Sequence, residues 1–291
     1  MIAFAIVIAI LEGLIRLFDT SFRKQILSST SVENSLELRR KLKRRRTIWS
    51  IVLIVLLCVL GLFLGGGAGI GIVLGYVLIK GVRAKFLGNV QYSNKEDYLK
   101  NYQKYVLYLR AFESDLYSND PDSYSFEFGL TRTISRKFKT NVCAIGMTKE
   151  VDAPRGATRV YVSDESWQTD VKELMQKASM IFILMSDRQS CIWEIAQSAQ
   201  MLRKTCFLID NEQKYENIRK ELRTAIPFPE YEELSAKLKD NDLKEKIDNN
   251  EVKIALIMNG DSYTVLELDE VEKESIKKVF EVTGFEYNTT K

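Results

Sequence analysis

Four residues in one short stretch, Ser186, Ser190, Trp193 and Glu194, are of the types that act on a base linked to a sugar. They lie in SDRQSCIWEIAQ, directly after the apolar run SMIFILM, where a buried strand gives way to a helix. In an open α/β sheet that edge is where ligands bind. A single buried carboxylate there suits work at an N-glycosidic bond. It can hold ribose hydroxyls and stabilise oxocarbenium-like charge, or attack the anomeric carbon directly. Trp193 offers an aromatic face for a base. Each residue also has a plainer role: Ser190 is a natural helix N-cap, and Glu194 can simply answer the helix dipole.

The other strand ends add cations. Arg110, Phe112 and Asp115 follow the first strand-like run, and a long loop after the second holds Arg155, Gly156 and Arg159. The arginines suit phosphates, whereas their plainer readings are an ion pair of Arg110 with Asp115 or Glu127 and solvated loop charges for Arg155 and Arg159. Histidine is absent from all 291 residues. This removes His-based acid–base chemistry, Ser-His and Cys-His nucleophiles, and nearly every zinc site. No metal or cofactor is expected, and NAD enters only as a substrate. The cysteines Cys58, Cys143, Cys191 and Cys206 sit singly in apolar surroundings and read as reduced core residues.

The elements that must position these residues alternate regularly. Strand-like runs cover 105–112, 141–147, 179–186 and 204–210, with helical stretches near 123–138, 165–178, 191–203 and 211–225. Short apolar strands between helices mean a parallel sheet covered on both faces. A C-terminal extension over 226–291 follows. It has a polar helical segment, two strands around Asn259-Gly260 in VKIALIMNGDSYTVLEL, and a closing amphipathic helix from Val271.

The N-terminal third has a different character. No charge occurs from Trp49 to Ile79, and the basic run RRKLKRRR (Arg39 to Arg46) precedes it. This predicts a transmembrane hairpin over 48–80, broken at Gly65-Gly66-Gly67, with both flanks cytoplasmic. Residues 1–27 form either a third spanning helix or one lying in the interface. The basic segment 28–47 and a polar stretch over 81–104 are linkers. The chain thus reads as a multi-pass inner-membrane protein whose soluble domain is cytoplasmic. The basic run fits topology and anionic lipid rather than nucleic acid. Gly67, Gly71 and Gly75 recur every fourth residue, either to relieve crowding within the hairpin or as a face for forming an oligomer.

VLYLRAFESD, FEFGLTRTISRKF, GATRVYVSDESWQTDVKELMQKASMIFILMSD and SCIWEI together resemble a bacterial family of membrane-anchored TIR-like proteins. The stretch from Tyr105 to Asp210 is similar to TIR domains and to the related nucleoside deoxyribosyltransferase-like and SLOG folds. The resemblance implies a flavodoxin-like parallel sheet over 105–225, with Glu194 at the position of the shared acid. Ser190 and Trp193 would be its neighbours, and Arg155-Gly156 would lie in the mobile loop. It also implies a nucleotide ligand, NAD cleavage and a role in bacterial antiviral defence. The adjacency of Trp193 and Glu194 is nearer the deoxyribosyltransferase spacing than that of TIR domains. Two rival functions use the same residues: a nucleotide sensor signalling to the transmembrane helices, and a self-associating scaffold.

Overall fold

The computed structural model describes residues 25, 28, 31–45, 48, 91–111, 121–147, 156–238, 243–248, 252–260 and 262–287. The chain divides into two compact units, one of Met1–Asn89 with Thr148–Val151 and the other of Val90–Met147 with Asp152–Lys291.

The first unit corrects the membrane expectation. Among the described residues no helix is long and apolar enough to cross a membrane. The helix that is described there, over 32–45, contains Glu33, Glu37 and most of the basic run. A charge at a bilayer centre costs about 2.5–3.5 kcal/mol even on the lenient scale. This segment, expected as a linker, is therefore helical but no span. Apart from residues 25 and 48, the expected N-terminal helix 1–27 and hairpin 48–80 lie outside the described residues, as do Cys58 and the Gly67-Gly71-Gly75 row. The expectation of N-terminal transmembrane helices, and with it a multi-pass inner-membrane location, is overturned.

The second unit is an α/β fold built on one eight-stranded sheet. Its strands are β1 (Gln91–Ser93), β2 (Tyr105–Leu109), β3 (Asn141–Met147), β4 (Thr158–Val162), β5 (Met180–Leu184), β6 (Thr205–Ile209), β7 (Val252–Asn259) and β8 (Ser262–Asp269). They lie in the order β1-β4-β3-β2-β5-β6-β7-β8. The first six pair in parallel, and β7 and β8 are antiparallel additions at one edge. Among the described residues eight α-helices accompany them: α1 (Lys95–Asn101), α2 (Pro121–Lys137), α3 (Trp167–Lys177), α4 (Gln189–Ser198), α5 (Glu212–Leu222), α6 (Tyr231–Leu238), α7 (Leu243–Asp248) and α8 (Lys273–Thr283).

Parallel strands with both faces covered read as unbroken apolar runs, and β2 and β6 are buried along their whole length. The alternation along β2 sorts the core into two layers. Tyr105, Leu107 and Leu109 join Leu174 of α3, Ile195 of α4 and Ile218 of α5. Val106 and Tyr108 join Leu130 and Ile134 of α2 and Val279 and Phe280 of α8. The chain turns one way from β2 to β3 and the other way to β5 and β6, so the switch point lies between β2 and β5. Their register there is Leu109 beside Ile183, and the residues leaving this edge are Arg110 and Ser186.

Two expected loops are ordered structure. The linker over 81–104 supplies β1 and α1, and the long loop after β3 contains β4. The three residues of β1 cover the outer side of β4, from Gln91 beside Thr158 to Ser93 beside Val160. Asn259-Gly260 turns the β7–β8 hairpin as expected, with Gly260 at φ +64°.

Lys204 ties β6 to the end of α3. Its Nζ donates to the carbonyls of Met175, Gln176 and Ala178 at 2.9, 2.8 and 2.7 Å, a cation on the negative end of that helix. Replacing it (Lys204→Met) removes three charge-assisted bonds. The expected loss is about 1–3 kcal/mol of unfolding free energy by urea denaturation; an unchanged midpoint would show that the carbonyls are equally well served by water.

Candidate functional site

The turn from β5 into α4 is short, so α4 starts earlier than its sequence suggests. Gln189 is the first helical residue and Arg188 occupies the N-cap position with extended φ/ψ. Ser190 therefore stands inside the first turn and is not the cap, which corrects that expectation. The first turn has no acid and no side-chain cap bond. Ser186 sits in the turn and accepts from the Arg188 amide at 3.4 Å. The Cys191 thiol donates to the Leu184 carbonyl at 3.4 Å, holding the start of the helix against the end of the strand.

Glu194 is completely buried. Neither of its carboxylate oxygens, nor the Ser190 hydroxyl, has a hydrogen-bond partner among the described residues. The two residues are four apart on one helix and so lie on the same face. Helical side chains lean toward the N-terminus, which brings the Glu194 carboxyl back over the turn of Ser190. Burial alone pushes that carboxyl well above its ordinary range. A dipole-answering acid would stand exposed in the first turn; this one stands in the second, out of water. Trp193 is half-buried, and its ring meets Trp167 of α3 edge-on at 4.8 Å. Trp167 is a neighbour that the sequence did not reveal, because the two residues lie on different helices.

The arginines go elsewhere. Arg110 Nε lies 2.6 Å from Glu127 Oε2, and Arg159 Nη2 lies 2.9 Å from Glu127 Oε1. Arg159 Nη1 also donates to the Ile145 carbonyl at 3.1 Å. All three side chains are almost fully buried. Glu127 belongs to α2, whose apolar residues fill the other core layer from that of α4. Arg159 is thus a strand residue held inside the protein, not a loop cation. Of the two plainer alternatives for Arg110, the Glu127 pair is formed, and Asp115 lies outside the described residues. Gly156 has φ +110°, and an added Cβ there would press on Thr131 and come within 3.1 Å of the Arg132 amide nitrogen. Its lack of a side chain serves close approach to α2. Phe112, Asp115 and Arg155 lie outside the described residues.

On the α2 side of the same edge, Lys253 at the start of β7 is buried, with its ammonium 5.2 Å from the centre of the Phe126 ring. Burial pulls its pKa down while Asp210 and Glu270 pull it up, and the net direction is down. Asp210 also meets Lys214 at 3.5 Å. No cluster of three or more His, Cys, Asp or Glu side chains able to hold a metal occurs among the described residues.

The chain matches no family model, and no curated protein matches its sequence.

Two stability changes follow. Glu127→Gln leaves two buried guanidinium groups facing a neutral amide, and the expected cost is about 3–5 kcal/mol in thermal or chemical unfolding. Glu194→Gln acts in the opposite direction. Below the ordinary carboxyl pKa both folded and unfolded Glu194 hold a proton. As pH rises the unfolded chain releases its proton first, so the native protein loses stability until the folded carboxyl ionises. The variant has no such loss. Its stability relative to wild type should climb as the pH is raised above about 5, by up to about 1.4 kcal/mol per pH unit. A flat difference across that range would mean that Glu194 ionises normally in the folded protein.

Proposed function

We propose that this chain binds a nucleotide at the C-terminal edge of its sheet and cleaves the nucleotide's N-glycosidic bond through Glu194. One observation carries the reading: a carboxyl with no exposure and no partner, on the helix that follows a central strand beside the topological switch point. Keeping such a group there costs stability, and groups retained at that cost cluster at sites of chemistry. Ser190 supplies a second unsatisfied polar atom on the same helix face, suited to a sugar hydroxyl. The Trp193–Trp167 pair supplies an aromatic wall for the base. A lone carboxyl with hydroxyl and aromatic neighbours is sufficient equipment for glycoside chemistry and needs no histidine or metal.

Arg110 and Arg159 have no part in ligand contact on this reading. They fix the strand ends against α2 through Glu127. The ligand's phosphates then fall to the turn Ser186–Arg188 and to the orphan amides that open α4.

NAD is the first probe because it carries two N-glycosidic bonds. The full-length protein incubated with NAD should release free base, followed by chromatography. Glu194→Gln should lower the rate by about 100-fold or more, the scale of a lost acid–base group. Equal release by both proteins would refute the assignment. Binding without release in either would turn the site into one of recognition.

A further inference from the structure

Among the described residues, Glu194 is set apart from the acids around it by the absence of a cation. The elements packed against α4 are α3, α5 and the 3₁₀ stretch Ala199–Lys204. On α3, Asp170 and Glu173 are held by Lys95, and Lys177 is held by Glu173; Lys172 is exposed. On α5, Lys214 faces Asp210 and Arg219 faces Glu216, while the Tyr215 hydroxyl donates to the Pro229 carbonyl; Glu212, Lys220 and Glu221 are exposed. Lys204 is spent on carbonyls, and Arg203 is exposed. In the turn before α4, Asp187 and Arg188 are exposed. The Cys191 thiol, one turn back on the same helix, is itself pushed up, by burial first and by Glu194 second.

An ionised carboxylate without a cation or hydrogen bonds in such a place is several kcal/mol out of balance, so the group keeps its proton. The resting site therefore presents an O–H donor with nothing to donate to. One turn back on the same helix face stands a serine hydroxyl in the same condition. That is the equipment of a general acid, as in other sites where an apolar pocket holds a glutamic acid neutral.

Resting on the reading above, we infer that Glu194 is the proton donor to the departing base. The substrates are then nucleotides whose base leaves only when protonated, purines foremost, and not those whose base is already a cationic pyridinium. In the step, the Glu194 O–H proton passes to a ring nitrogen of the purine. The bond from C1′ to N9 breaks with its electron pair passing to the base. Water adds its oxygen to C1′ and returns a proton to the Glu194 carboxylate. One water is consumed, and the products are free purine and the ribose phosphate. Nicotinamide, by contrast, leaves NAD as a neutral molecule, its positively charged ring nitrogen taking the electron pair, and gains nothing from an acid.

NAD contains both kinds of bond, so one incubation discriminates. Full-length protein and Glu194→Gln are each incubated with NAD and with adenosine monophosphate from about pH 5 to about pH 9, and the released base is identified by chromatography. Adenine should appear from both compounds and nicotinamide from neither. The rate should fall about tenfold per pH unit above the Glu194 pKa, and the variant should lose about 100-fold or more at low pH while melting no lower than wild type. Nicotinamide as the released base would overturn this inference and leave the proposed function standing. So would adenine release that is flat with pH but lost in the variant. No base from either compound would overturn both.

Discussion

Burial of both faces of the parallel strands is the constraint on which the rest depends. β2 and β6 have no exposed residue and β5 is buried in all but its last, so an ionisable group inside the sheet is costly and has to be held, as Arg159 of β4 is by Glu127. Others stand where strands end and helices start, Arg110 after β2 and Glu194 on the helix after β5. At that edge each charge must find a partner or lose its charge. The two core layers take different courses. On the α2 side, Glu127 gathers Arg110 and Arg159 into one ionic knot. On the α4 side, Glu194 has no cation among the described residues, and burial pushes its carboxyl well above the ordinary range.

The same element organises much of the α2 side. Glu127 reaches two strands, Thr131 receives the close approach of Gly156, and Gly129 leaves room for Glu270 of the strand-to-helix turn after β8. A side chain at Gly129 would displace Glu270, whose carboxyl burial already pushes upward. A helix fixed at so many points is a rigid back wall. Across the sheet, the helix after β5 carries its own unsatisfied polar groups, the Glu194 carboxyl and the Ser190 hydroxyl.

Much of this was legible in the sequence, for a physical reason. Doubly covered strands are continuous apolar runs, so β2, β3, β5 and β6 announced themselves, and Asn259-Gly260 marked its hairpin. Glu194 stood out because an acid after a buried strand is costly. What stayed hidden was set by distant partners. Gln91–Ser93 and Thr158–Val162 have no long apolar run; they are strands because they pair with each other and β4 also pairs with β3. Arg159 looked like a loop cation because only the fold brings Glu127 to it. The N-cap of α4 was misplaced because cap chemistry favours a serine, and tertiary packing started the helix at Gln189 instead. The charge-free stretch over 49–79 suggested spans, whereas the helix described nearby is too charged to be one.

The pairing of β1 with β4 bears on where this protein can be cut. A fragment begun at Tyr105, where the first long apolar strand suggests a natural boundary, would lack Gln91–Ser93. It would also lose Lys95, which joins α1 to Asp170 and Glu173 of α3. β4 would then present a row of unpaired amides and carbonyls along its outer side, a template for pairing with another chain. Three short residues before the obvious start of the domain thus act as its seal against aggregation.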